Sequence, residues 1–329
     1  AFQKNLNDSV IITINPIPAA IISTNATVCM NSASPKITFT GSAGTRPYTF
    51  TYKIGNGAPQ TITTVTGDTV SIFAPTNVAG TFIYHLIRVQ DASSTACIKS
   101  LDDSVVIKVN PLPGASISSN AVLCQYAPAP RILFTGTGST APYTFTYTIN
   151  NGTPQTITTI TGDTISLAVS TQTPGTFSYR LLKVQDASST ACFSLLNAFV
   201  DIKINPAPAA LLSNDKAVCI NAPSPLVTFK GAGGTPVYTF TYTLNNGTPQ
   251  TITSGPGDSV SIAVPTNVAG RFVYRLTGIQ DASSTACFSA VTDSAVVTVE
   301  ALPLVNAGPD KGICRGTPVQ LNATGAVQY

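Results

Sequence analysis

Tryptophan is absent from this 329-residue chain, and histidine and glutamate occur once each, as His85 and Glu300. One imidazole cannot build a histidine metal cluster or supply a base to several nucleophiles. No H-E-x-x-H, G-x-S-x-G or P-loop pattern occurs. Charged residues make up only 9%, the net charge is +3, and no Lys/Arg block stands out. That composition argues against electrostatic binding to nucleic acid or an anionic membrane. No apolar run approaches the roughly 18 residues that span a bilayer. The opening residues AFQKNLNDSV carry no signal-peptide pattern. An enzyme, a cofactor site and membrane insertion are therefore not expected.

What is present is a repeat. The stretch QDASSTAC occupies Gln90–Cys97, Gln185–Cys192 and Gln280–Cys287 without a change, 95 residues apart. Cys29, Cys124, Cys219 and Cys314 keep the same period, as do YTFTY at Tyr48, Tyr143 and Tyr238. The repeats run 17–111, 112–206 and 207–303. The junctions read NPIP at Asn15, NPLP at Asn110 and NPAP at Asn205. Their prolines fix φ and remove a donor, so they are stiff and end a sheet. Residues 1–16 align with the tail of a repeat, NDSVIITINP against DDSVVIKVNP, and are expected to be the final strand of a preceding repeat. Residues 304–329 open a further domain.

Hydrophobic residues make up 43% of the chain, enough to bury a core. Their spacing has period two, the strand signal. In the second repeat it predicts seven strands, A at 115–119, B at 131–136, C at 143–150, C′ at 155–161, E at 164–169, F at 176–184 and G at 198–205. Turn signals such as NNGTP, TGD and DASS separate them. The expected fold is all-β: tandem immunoglobulin-like β-sandwiches of about 95 residues in an extended rod. With no tryptophan, Tyr and Phe must fill the core position an antibody domain gives to Trp.

NAGPDKGICRGTPVQLNATGA (Asn306–Ala326) closely resembles the opening of PKD-like and immunoglobulin-like repeats in giant surface proteins of Bacteroidota. VQDASSTAC and VNPLP resemble a turn and an inter-domain junction of such repeats. The resemblance implies a secreted or cell-surface protein of the adhesion or gliding-motility type, exported by the type IX system. The same bacteria are known for O-glycosylation at Asp-(Ser/Thr)-apolar triplets. Matching triplets contain Ser9, Thr69, Ser104, Thr164, Ser259 and Ser294. The bland reading of each is a turn Asp before a strand-starting residue.

Two cysteines per repeat without Cys-x-x-Cys point to disulfides in an oxidising compartment. The pairing stays open between two schemes. Within a repeat the pairs are Cys29–Cys97, Cys124–Cys192 and Cys219–Cys287. Strand direction disfavours this: the first cysteine follows the A strand, in the turn where A passes into B, the second lies in the F–G turn, and the two turns sit a strand length of roughly 30 Å apart. Pairing across a junction, Cys29–Cys192 and Cys124–Cys287, brings facing ends together. Cys97, Cys219 and Cys314 then pair outside these repeats.

Asp91, Asp186 and Asp281 begin the repeated turn, and Asp102 and Asp103 follow in the first repeat. Calcium at the junctions needs six to eight oxygens. The acidic set does not recur, because Asn197–Phe199 surround the Asp103 counterpart, so a structural Asx turn is expected instead. GAGG (Gly231–Gly234) reads as a turn, and His85 as a surface position on strand F where the other repeats carry Arg180 and Arg275. The expected function is a structural segment of an extracellular fibre or stalk. The alternative is an adhesin whose repeats bind surface polysaccharide. The expected partners are neighbouring domains of the same longer chain and identical chains in a filament.

Overall fold

The computed structural model describes residues 9–213 and 215–325. Its described residues form 24 strands and no helix. In the first repeat these are β1 (Ala19–Ser23), β2 (Ala26–Cys29), β3 (Lys36–Ser42), β4 (Thr49–Ile54), β5 (Gln60–Thr63), β6 (Thr69–Phe73), β7 (Gly80–Gln90) and β8 (Ile98–Asn110). They build a three-stranded sheet, β1-β3-β6, and a five-stranded sheet, β2-β8-β7-β4-β5. The second and third repeats reproduce both orders. The neighbours are antiparallel except β2, which runs parallel to β8 and places Cys29 opposite Asn110.

The chain divides into two compact units. The first holds Ala1–Ser119, Ile132–Leu167 and Ser178–Val200. The second holds Asn120–Arg131, Ala168–Phe177 and Asp201–Tyr329. The first sandwich lies wholly in the first unit and the third sandwich wholly in the second. The second repeat contributes strands to both.

Alternation fills each core. In the first sandwich Phe39, Tyr48, Phe50, Tyr84, Leu86, Val105, Ile107 and Val109 are buried. The third buries Phe229, Tyr238, Phe240, Tyr274, Leu276, Ala295, Val297 and Val299. Phe39 packs on Phe50 and Tyr52 at 5.6 and 5.1 Å between centroids, within the range of favourable ring pairs. Phe134 repeats this on Phe145 and Tyr147 at 5.6 and 5.2 Å. Tyr48 also donates its hydroxyl to the Gly44 carbonyl at 2.8 Å, so the polar end of a buried ring is satisfied. Gly41 and its counterparts Gly136 and Gly231 make room for that ring: a Cβ on Gly136 would lie 2.4 Å from Tyr143.

The structure corrects the strand reading in three places, one being that the strand expected at 155–161 ends at Thr158. The second repeat has an eighth strand, Ala121–Cys124, equivalent to β2. Its last strand begins at Phe193 rather than 198, directly after the cysteine. The A strand is split because the chain crosses from one sheet to the other. In the first repeat Thr24 sits at φ 108° at the crossing, and the Asn25 side chain accepts the Val106 N–H at 2.7 Å. Asp103 in β8 accepts the Ile22 N–H at 3.2 Å, and Asp293 accepts the Leu212 N–H at 2.7 Å. Ala198 holds that position in the second repeat.

Residues 9–16 are in no strand, and Val10, Ile12 and Ile14 are exposed. Residues 301–325 make one isolated bridge, Asn306 with Thr324, and are exposed. Residues 1–8 and 326–329 of the expected terminal pieces lie outside the described residues.

Candidate functional site: the repeat junctions

The repeated octapeptide is the hairpin turn between β7 and β8 and its counterparts. In the first repeat the Asp91 N–H donates to the Cys97 carbonyl at 3.1 Å, closing the hairpin. The Asp91 carboxylate then organises the loop. Oδ1 accepts the Ser93 hydroxyl at 2.7 Å, and Oδ2 accepts the Thr45 N–H at 3.0 Å from the β3–β4 loop. Asp281 does the same with Ser283 and Thr235, and also accepts the Cys287 N–H at 2.8 Å. Asp186 accepts the Ser188 and Ser139 hydroxyls. Burial pushes the Asp91 carboxyl up, but the donors from Thr45, Ser93 and Cys97 outweigh it and hold it below its ordinary range. Ala96, Ala191 and Ala286 take positive φ near the tip, at 46°, 48° and 47°. Gly234, the last residue of GAGG, lies against Asp281, where a Cβ would come within 2.7 Å of the carboxylate.

This ordered turn presents a threonine and a cysteine to the preceding repeat. Cys29 is bonded to Cys192 with Cα atoms 5.6 Å apart, and Cys124 to Cys287 with Cα atoms 5.4 Å apart. The two bridges therefore run across junctions. The in-repeat pairs Cys29–Cys97, Cys124–Cys192 and Cys219–Cys287 are not formed. The strand equivalent to β2 carries its cysteine alongside the end of the last strand, away from the turn that holds the second cysteine. Cys97 is a partly exposed free thiol, and Cys219 and Cys314 are exposed free thiols.

A second contact accompanies each bridge. The Asn110 side chain donates to the Thr190 hydroxyl at 2.9 Å, and Asn205 donates to Thr285 at 2.9 Å. Both asparagines are buried. Their carbonyls accept the Met30 and Gln125 N–H groups at 2.8 Å, so each asparagine ends its own sheet and reaches into the next turn. Sequence reasoning credited these junctions to proline and passed over the asparagine. Its signal was the recurrence of Asn before Pro at 15, 110 and 205, with Glu300 in the fourth position.

The other candidate residues are scattered. His85 stands on β7 opposite Ser104, partly exposed. The turn carboxylates are engaged by backbone and hydroxyl donors, Asp102 and Asp103 lie on β8, and among the described residues no three His, Cys, Asp or Glu side chains gather. Ser9, Thr69, Ser104, Thr164, Ser259 and Ser294 are all exposed. At the second junction a concavity of about 600 Å³ is lined by Gln125, Tyr126, Ala207 and Phe288, with Tyr126 65% and Phe288 61% exposed. Asn31 replaces Tyr126 at the first junction. Among the described residues no helix is long and apolar enough to cross a membrane.

No family model and no curated protein matches the sequence. Solved structures do. The I-band fragment I67–I69 from titin is 12% identical, with 88% of this chain and 99% of that chain covered and a TM-score of 0.53. A region of a 1.5-MDa bacterial ice-binding adhesin is 14% identical over 88% of this chain and 100% of that one, at a TM-score of 0.36. A tetra-tandem repeat from the extending region of a large adhesion protein is 17% identical over 86% and 74%, at 0.28. The last two superpose too loosely to carry an argument. The titin likeness shows the fold alone: tandem immunoglobulin-like β-sandwiches.

Proposed function

We propose that this chain is a structural segment of a long extracellular fibre or stalk of a bacterial surface protein, spacing or presenting an adhesive region. The observation that carries this reading is the stapled junction. A covalent bridge, a hydrogen bond from a buried Asn to a partly buried Thr and a proline linker coincide twice, at the one turn whose eight residues never change. A spacer needs its joints alike so that length changes by whole repeats. The disulfides also suit the oxidising surroundings of a cell surface. A multivalent adhesin would instead repeat an exposed ligand platform. Tyr126 and Phe288 line the same concavity at one junction, but Asn31 stands in the place of Tyr126 at the other.

Removal of one 95-residue repeat from the native protein tests the reading. The spacer account predicts a shorter surface fibre in electron micrographs with adhesion per fibre unchanged. Adhesion that falls in proportion to repeat number would transfer the case to direct polysaccharide binding by the repeats. We further propose that at least one of the six exposed Asp-(Ser/Thr)-apolar hydroxyls carries O-glycan, which would add solubility and protease resistance to a surface with few charges. An intact mass of the native protein equal to the bare polypeptide would rule this out.

A further inference from the structure

We propose that residues 9–15 are the last strand of a further sandwich of this kind, lying ahead of the first repeat in the same polypeptide, and that Cys97 bonds to that sandwich's cysteine. Three observations converge on one end of the first repeat.

The first is misplaced apolar surface. Val10, Ile12 and Ile14 align with Val105, Ile107 and Val109. Those three are 3%, 0% and 2% exposed in β8, whereas Val10, Ile12 and Ile14 are 88%, 82% and 88% exposed. The equivalent positions are also buried in the other repeats, as Val200, Ile202 and Ile204 and as Ala295, Val297 and Val299. A strand with this alternation belongs on a sandwich core.

The second is the position of Asn15. Its side chain donates to the Thr95 hydroxyl at 2.9 Å. Asn110 and Asn205 make that bond to Thr190 and Thr285 from the ends of their sandwiches' last strands. Asn15 thus already stands where the end of a preceding last strand belongs.

The third is Cys97. Its sulfur lies 3.2 Å from the Thr95 hydroxyl, as Cys192 lies 3.1 Å from Thr190 and Cys287 3.2 Å from Thr285. The latter two are bonded to the cysteine that pairs in register with Asn110 or Asn205. A short strand laid parallel to residues 9–15 in the same register puts its cysteine beside Asn15 and within reach of Cys97. The separation of 163 residues seen in both bridges places that cysteine 163 residues ahead of Cys97. The three sandwiches of a second copy already hold their own last strands, so a link to that copy's free Cys219 or Cys314 is the result that would replace this partner.

The bond forms by thiol–disulfide exchange. An oxidising disulfide takes two electrons and two protons from the two thiols and leaves as two thiols. The inference does not depend on whether the repeats space or bind.

The test uses the native protein purified from its source, with thiols blocked before digestion without reduction. The expected result is a Cys97 peptide linked to a cysteine 163 residues ahead in the same chain. A blocked Cys97 thiol overturns the proposal, as does a link to Cys219 or Cys314, or to a separate polypeptide released by reduction. Hydrogen exchange is the second readout. The amides of Val10–Ile14 should exchange at least about a thousandfold more slowly in the native protein than in the 329-residue chain. Equal rates would overturn the strand assignment.

Discussion

Pulling the chain from its two ends gives the junction bridges a length signature. Cys29–Cys192 and Cys124–Cys287 close overlapping loops, because Cys124 lies inside the first loop and Cys192 inside the second. The shortest covalent route from end to end therefore runs forward to Cys29, across to Cys192, back to Cys124, across to Cys287 and on to the C-terminus. That route spans roughly 140 residues, so at about 3.3–3.6 Å per residue the fully unfolded oxidised chain extends to about 50 nm. Reduction restores the whole contour, about 110 nm by the same measure. Cys124→Ser alone leaves one bridge and a limit of about 60 nm. Optical tweezers on the 329-residue chain, with and without reductant, read these limits directly. In-repeat pairing gives a different order, since its loops do not overlap: three such bridges leave roughly 125 residues, and losing Cys124 alone lengthens that route by the whole 124–192 span to about 70 nm. An oxidised chain that stretches past about 70 nm, or a Cys124→Ser limit near 70 nm, would refute the cross-junction route.

Four further outcomes follow from the geometry. Asn205→Ala in a Cys124→Ser, Cys287→Ser background should lower the stability of the third repeat by about 1 kcal/mol, read by urea denaturation, because the partly buried Thr285 hydroxyl loses the Asn205 donor. Asp103→Ala should cost the first repeat about 1–2 kcal/mol by stranding the Ile22 N–H, whereas Ala198→Asp should not destabilise the second repeat. Gly136→Ala should cost about 1–3 kcal/mol, seen as a lower melting temperature, because the new methyl meets the Tyr143 ring at 2.4 Å. The fourth concerns pH. Asp91 is held below its ordinary value of 3.8, so its contribution is complete above that pH and is lost as pH falls through the lower folded value. Acid titration of the wild type should then show more loss of first-repeat stability below about pH 4 than titration of Asp91→Asn does.

Much of this architecture was legible because the repeats share a period-two pattern. Tyr48, Phe50 and Tyr52 alternate with threonines, and their cross-strand partners alternate in step, so the sandwich and its turns could be read directly. The strand equivalent to β2 could not. Ala121–Cys124 is four residues with no alternation, and its parallel pairing with residues 202–205 joins positions some eighty residues apart. That missing strand bears on the cysteines. The expectation placed Cys124 at the end of an A–B turn, whereas the structure carries it to the junction on a strand alongside the last strand. The Asn205–Thr285 bond was invisible for a related reason: the asparagine's partner belongs to the next repeat, and nothing local in NPAP names it. The identical turn QDASSTAC was visible from the start, but its constancy acquires a cause only when Asp, Ser, Thr and Cys are seen to set one loop and one joint.

The central claim is that the joints are covalent, and non-reducing peptide mapping of the 329-residue chain tests it most directly. The account predicts two linked peptide pairs, one holding Cys29 with Cys192 and one holding Cys124 with Cys287. A Cys29–Cys97 peptide, or Cys29 and Cys192 both recovered as free thiols after oxidative folding, would contradict it.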